Sequence, residues 1–268
     1  MGDALYMDWW PHWVSDLALQ KSAVVISPNY RIMPGATSGE IYTDIEDFWT
    51  WLHSPALADL LAAHSAPTEL DLSRVLVAGE SAGGLLGIYL ALAHPTEIRA
   101  ATVAYPWTDP GSEYFNAPRA GPVVGQHVPE SVVEQTLQSI PHGTPETSVT
   151  SQERFAFMLA GCEYGKLAGM YARGSENVPR ETLYPMAKLE QPGLQIPRGG
   201  IAVIQGRQDS VVPLPDVEKW VKRAREVFPP ELIAFAVREG EHAFDVDARY
   251  EEQWLQDTFQ KPVQAWVE

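Results

Sequence analysis

Val75-Leu76-Val77-Ala78-Gly79-Glu80-Ser81-Ala82-Gly83-Gly84-Leu85-Leu86 decides the fold of this chain, because an apolar strand runs into a turn of small residues and an apolar helix leaves it. A serine on such a strand-to-helix turn needs neighbours without bulk, so that the backbone bends sharply and the hydroxyl stands above the sheet. Gly79, Ala82, Gly83 and Gly84 meet that need. Residues 74–78 have the short, continuous apolar run of a strand buried on both faces, as in parallel sheets covered by helices. Past Ser81, the residues Leu85, Leu86, Ile88, Tyr89, Leu90 and Leu92 predict a helix apolar nearly all round, which Pro95 stops. Ser81 is thus a candidate nucleophile on an elbow; the plainer reading is a helix N-cap.

A serine nucleophile needs a base, and the base needs an acid to orient it. In sheet-top sites of this kind the chain order is Ser, then Asp or Glu, then His. His94, His127, His142 and His242 follow Ser81, and His242 stands out. Ile201-Ala202-Val203-Ile204 predicts a buried strand that ends in the polar turn Gln205-Gly206-Arg207-Gln208-Asp209-Ser210, which puts Asp209 at a strand's carboxyl end. A helix (215–227) and a strand (232–237) follow, then Gly240-Glu241-His242, again just past a strand. Three residues at three strand ends, in the expected order, are more specific than any one motif. Asp209 could otherwise be an Asx-turn residue, His242 a loop histidine, and Asp216 a helix N-cap. Asp245, Asp247 and Glu239 are rival acids, but lie too near His242 in sequence to face its ring across the fold.

With 268 residues, 45% apolar content and nine tryptophans, the chain can bury one sizeable core plus an insertion. A formal charge of −16 argues against nucleic acid or anionic membrane as partner, since both rest on Lys/Arg clusters. The single Cys162 excludes an internal disulfide framework and reads as a small buried residue. No metal-ligand spacing, P-loop or dinucleotide fingerprint occurs, so no cofactor or metal is expected. No stretch is long enough to span a bilayer, and the first ten residues lack a signal-peptide pattern. With Met1 as the true start, the expectation is a cytoplasmic protein without membrane insertion.

Along the chain, residues 6–20 suggest a helix, Ala23-Val24-Val25-Ile26-Ser27 a buried strand, and 41–61 a helix opening near Thr43. Strand 75–78, helix 82–93 and strand 98–105 follow. This alternation implies an α/β fold with a doubly wound, mostly parallel sheet. The rhythm breaks over 109–190, which holds Pro/Gly-rich sequence and helices near 129–140, 152–173 and 180–189. A segment that long folds over the site as a helical cap, leaving 1–108 and 191–268 as the core. Its aromatics Tyr114, Phe115, Phe155, Phe157, Tyr164 and Tyr171 either line an acyl pocket or pack the cap onto the sheet.

Gly79-Glu80-Ser81-Ala82-Gly83-Gly84, Tyr30-Arg31-Ile32-Met33-Pro34, the 206–213 acid turn and Gly240-Glu241-His242 together resemble α/β-hydrolases of the hormone-sensitive-lipase-like carboxylesterase group (α/β-hydrolase fold-3 type). By position, the resemblance implies Ser81 as nucleophile, His242 as general base and acid, Asp209 as its orienter, and the Ala82 backbone N–H as an oxyanion donor. Tyr30 and Arg31 then hold the loop beneath the site. The family's His-Gly-Gly-Gly oxyanion segment would fall just before Gly2-Asp3, so the fold is expected to be N-terminally incomplete. Its sheet then lacks the strand between 24–27 and 75–78. The two facing edges must close up or leave a gap, and the expectation is a shortened form of a longer protein.

The resemblance implies a serine hydrolase that cleaves carboxylic esters of small or medium acyl groups through an acyl-enzyme. The alternative is a weak or inactive hydrolase-like module that binds a small ligand.

Overall fold

The computed structural model describes residues 2–4, 6–119 and 121–268. Four strands form one parallel sheet in chain order: β1 (Val75–Glu80), β2 (Ile98–Ala104), β3 (Ile201–Gly206) and β4 (Ile233–Arg238). Because all four run the same way, their carboxyl ends share one edge, and the segments bearing Ser81, Asp209 and His242 all leave from it. Ligands in open α/β sheets bind outside that edge.

Side chains alternate between the two faces along each strand, as a pleated backbone requires. Ala101, Val103, Ile201, Val203 and Ile233 turn to the face covered by α2 (Ser38–Leu52), α4 (Ala82–Ala93) and α11 (Leu214–Val227). Ala104, Ala202 and Ile204 turn to the other face, under α1 (His12–Gln20) and α12 (Gln253–Val267). Trp13 of α1 and Phe259 of α12 pack ring to ring there, with centroids 5.0 Å apart.

Several elements differ from the sequence expectation. Residues 6–20 divide into a short 3-10 turn (Met7–Trp9) and α1, with Pro11 between them. The helix expected to open near Thr43 begins at Ser38, because Thr37 and Glu40 form a reciprocal capping box. It ends at Leu52, and a separate α3 (Pro55–Ala62) starts at a proline. No helix was expected over 253–267, where α12 lies.

The largest correction is at residues 23–27, which form no strand. Val24 and Val25 are 49% and 46% exposed, and the segment has no strand partner among the described residues. β1 is an edge strand, paired only with β2. Between its outer edge and residues 22–30 lies a groove of about 640 Å³, lined on its apolar side by Trp13, Leu17, Ile45, Trp49 and Leu86. The two edges have therefore not closed on each other. An apolar run becomes a strand only where another strand meets its N–H and C=O groups, and among the described residues no strand pairs with 23–27.

Between β2 and β3 come α5 (Glu113–Asn116), α6 (Ser131–Ser139), α7 (Gln152–Glu163), α8 (Leu167–Ala172), α9 (Arg180–Leu183) and α10 (Pro185–Lys188). The single helix expected over 152–173 breaks at Gly165, whose φ is +62° and where a Cβ would meet the Ala117 backbone at 2.4 Å. The helix expected over 180–189 divides at Pro185. Phe115, Phe157 and Tyr171 are all buried in the main core, with Phe115 and Tyr171 packed edge-on against Trp107, so these three serve packing.

Candidate active site

Ser81 sits between β1 and α4 with φ +52° and ψ −118°, a backbone state costly for a side chain and typical of residues fixed for function. Neighbouring strands enforce it: the Ser81 N–H donates to Ala104 O at 3.0 Å, and the Trp107 N–H donates to Ser81 O at 3.1 Å. Two of the three glycines are demanded by space. A Cβ on Gly79 would come within 2.2 Å of Gly83 O, and one on Gly84 within 2.9 Å of Pro106 Cα. Gly83 differs from the expectation, because a Cβ there would meet nothing within 4 Å. Gly79→Ala should therefore lower the thermal transition and abolish most turnover, whereas Gly83→Ala should melt at the wild-type temperature or above, alanine being the better helix former. Thermal unfolding of both variants checks this.

Ala82 opens α4, and the first N–H of that helix to find a helical acceptor is that of Leu85, which donates to Ser81 O at 3.1 Å. The Ala82 N–H is among the helix-start donors left free by geometry.

Asp209 and His242 meet. Asp209 Oδ2 accepts from His242 Nδ1 at 2.8 Å, with the carboxyl side chain fully buried and the imidazole 15% exposed. Asp209 Oδ1 accepts from the Val211 and Val212 N–H groups, each at 2.8 Å, and Gln205 Nε2 donates to Oδ2 at 3.2 Å. This shell fixes the carboxylate plane before the histidine is considered. The Ser81 hydroxyl makes no hydrogen bond to the imidazole among the described residues; such contacts are often loose before substrate arrives.

Two of the rival acids, Glu239 and Asp245, and the N-cap candidate Asp216 are engaged elsewhere. Asp216 accepts from Ser112 Oγ at 2.6 Å and sits inside the first turn of α11, whose N-cap is Pro213. Glu239 pairs with Arg207 at 2.8 Å on the surface. Asp245 is buried and accepts from Trp13 Nε1 at 2.8 Å. Arg31 forks onto Asp44 and Glu40 of α2, at 2.8 and 3.0 Å, which ties the 30–34 loop to that helix.

Sequence reasoning missed the supports of this pair. Glu241 accepts from the Ser210 hydroxyl at 2.8 Å and from the His242 N–H at 2.8 Å, clamping the acid turn to the histidine loop. Tyr114 Oη donates to Ser210 O at 2.9 Å, joining the 109–190 segment to the same turn. The Tyr105 ring packs on the His242 ring, with centroids 4.5 Å apart. Gln205 left a trace, as a polar side chain within an otherwise apolar strand.

Residues 6–163, more than half of the chain, match the family model described as alpha/beta hydrolase fold. The chain belongs to the α/β-hydrolase fold family. The hydrolase is 28% identical over 268 residues to "Probable carboxylesterase M8" of Phoma sp., covering 96% of this chain and 79% of that protein. It is 27% identical over 199 residues to "Probable carboxylesterase clz11" of Cochliobolus lunatus, covering 71% and 86% of the two. Among solved structures, an esterase from Pyrococcus furiosus superposes with a TM-score of 0.53 over 95% of this hydrolase and 74% of that chain, at 13% identity. That likeness concerns the fold. Among the described residues no helix is long and apolar enough to cross a membrane.

Proposed function

We propose that this hydrolase cleaves carboxylic esters through a serine acyl-enzyme, with Ser81 as nucleophile, His242 as base and acid, and Asp209 as the residue that orients the imidazole. The observation that carries it is the 2.8 Å Asp209–His242 pair at the same sheet edge as a serine held at φ +52°. With Asp209 accepting from Nδ1, the imidazole keeps its Nε2 lone pair for the Ser81 proton. Ser81 Oγ then attacks the ester carbonyl carbon, and the proton on Nε2 passes to the departing alkoxide. Water repeats the sequence on the acyl-enzyme and releases the acid. The Ala82 N–H, at the positive end of α4, stabilises the oxyanion, a donor worth ~10²–10³ in turnover.

The names of the fungal relatives favour carboxylic esters over other acyl substrates. The substrate is a small or medium acyl ester held beneath residues 109–190, which act as a cap; the Tyr114 bond to the acid turn supports that placement. The chemistry requires no cofactor. Hydrolysis of aryl esters from two to eight acyl carbons, with a serine-directed phosphonate as covalent probe, tests the reading. Turnover that favours the shorter chains, together with one adduct per chain, is the expected result. No turnover and no adduct would leave only ligand binding.

A further inference from the structure

Behind His242, away from Asp209, lies a second group of acids that the reaction above does not use. Glu80 ends β1 directly before the nucleophile, Tyr105 follows β2, and Asp245 follows His242 by three residues. Tyr105 Oη lies 3.2 Å from Glu80 Oε2 and interacts with the Asp245 carboxyl as well. Asp245 Oδ2 accepts from Trp13 Nε1 at 2.8 Å, while Oδ1 is buried without a regular hydrogen-bond partner. The ionisable groups that face this cluster are one another and His242.

The proton count does not close if both carboxyls are charged. A tyrosine hydroxyl carries one proton, so it can donate to one carboxylate and only accept at the other. Two carboxylates around one hydroxyl, with Asp245 and Tyr105 fully buried and Glu80 at the edge of the groove, would also repel without a cation between them. A second proton resolves both difficulties, since a Glu80 hydroxyl can donate to Tyr105 Oη while Tyr105 donates to Asp245.

We propose that Glu80 and Asp245 share one proton through Tyr105, and that this pair acts as a positioning element holding a single negative charge behind the His242 ring. Burial first, and then the Asp245 charge, push the Glu80 carboxyl up to about 8, and burial raises Asp245. The Tyr105 ring, in contact with His242 at 4.5 Å, is the mechanical link. While the proton is held, the forming imidazolium meets one charge from this side; when it leaves, the second charge binds the imidazole proton more tightly and slows its return to the leaving group.

The pair's titration is also linked to folding, with a definite sign. In the unfolded chain Glu80 gives up its proton near the ordinary carboxyl value of ~4.3, whereas in the folded chain it keeps it to about 8. Between those values the unfolded state binds fewer protons, so this group lowers stability as pH rises, and above about 8 the effect is constant. Glu80→Gln removes that contribution. The difference in thermal transition, variant minus wild type, should therefore increase from pH 5 to pH 8 by roughly 5 °C or more and then level off.

The experiment measures thermal unfolding of wild type, Glu80→Gln and Asp245→Asn from pH 5 to 9, with kcat and KM on one aryl ester over the same range. The kcat part rests on the proposed role of His242, but the unfolding part does not, so the two can fail separately. Glu80→Gln should show the full pH-dependent gain in melting temperature and Asp245→Asn a smaller one, because burial, the larger cause, still raises the Glu80 carboxyl when the Asp245 charge is gone. Wild-type kcat should carry an inflection near pH 8 that Glu80→Gln lacks, with KM unchanged in both. Melting curves for wild type and both variants that stay parallel from pH 5 to 9 would overturn the shared proton. An inflection that survives Glu80→Gln would overturn its link to His242.

Discussion

Ser81→Ala should abolish labelling by a serine-directed phosphonate and reduce ester hydrolysis by on the order of 10⁴–10⁶, while leaving the thermal transition almost unchanged. The contrast between activity and stability is what makes the result informative. Ser81 holds its neighbours through its backbone, by the bonds from its N–H to Ala104 O and from the Trp107 N–H to its carbonyl, and both survive the substitution. Alanine suffers at φ +52° as serine does, so the elbow keeps its strain without gaining more. No hydrogen bond from the hydroxyl to the imadazole ring of His242 is lost, because none is present among the described residues. A phosphonate adduct that persists on another serine, such as Ser210 in the acid turn, would refute the assignment of Ser81.

Much of this site was legible because its parts announce themselves locally. A small-residue turn after an apolar strand, and acidic and imidazole residues just past two more, need no knowledge of partners. The parallel sheet follows from the same alternation. What failed were judgements that depend on a distant neighbour. Residues 23–27 have the composition of a buried strand, yet strand formation is a property of two backbones, and among the described residues no strand lies across the groove beside β1. The break at Gly165 arises from the close approach of Ala117, 48 positions earlier in the chain, which periodicity cannot register. The capping box of Thr37 and Glu40 was a different kind of failure, since its spacing was readable but the acidic run at 44–47 drew the helix start too late. Glu80, Tyr105 and Asp245 look unremarkable in sequence, and only the fold brings the two carboxyls to the Tyr105 hydroxyl.

The second large effect belongs to Asp209, and its direction follows from which oxygen does what. Oδ1 accepts from two backbone N–H groups, Val211 and Val212, so Asp209→Asn must leave its carbonyl oxygen there and place its NH₂ at the Oδ2 position. That NH₂ then donates to His242 Nδ1 where the carboxylate accepted. The imidazole is forced into the tautomer with its proton on Nε2, which cannot take a proton from Ser81. Turnover should fall by up to ~10⁴-fold with little change in KM. Gln205 adds to the cost, because its Nε2, 3.2 Å from Oδ2, would face another donor. Asp216→Asn serves as the control, since that carboxyl meets Ser112 rather than the imidazole and its loss should leave kcat within a few-fold of wild type. The tautomer itself is visible as the ¹⁵N shifts of the His242 ring. Equal losses in the two variants, or an imidazole still protonated at Nδ1 in Asp209→Asn, would show that Asp209 holds the loop together without directing the proton.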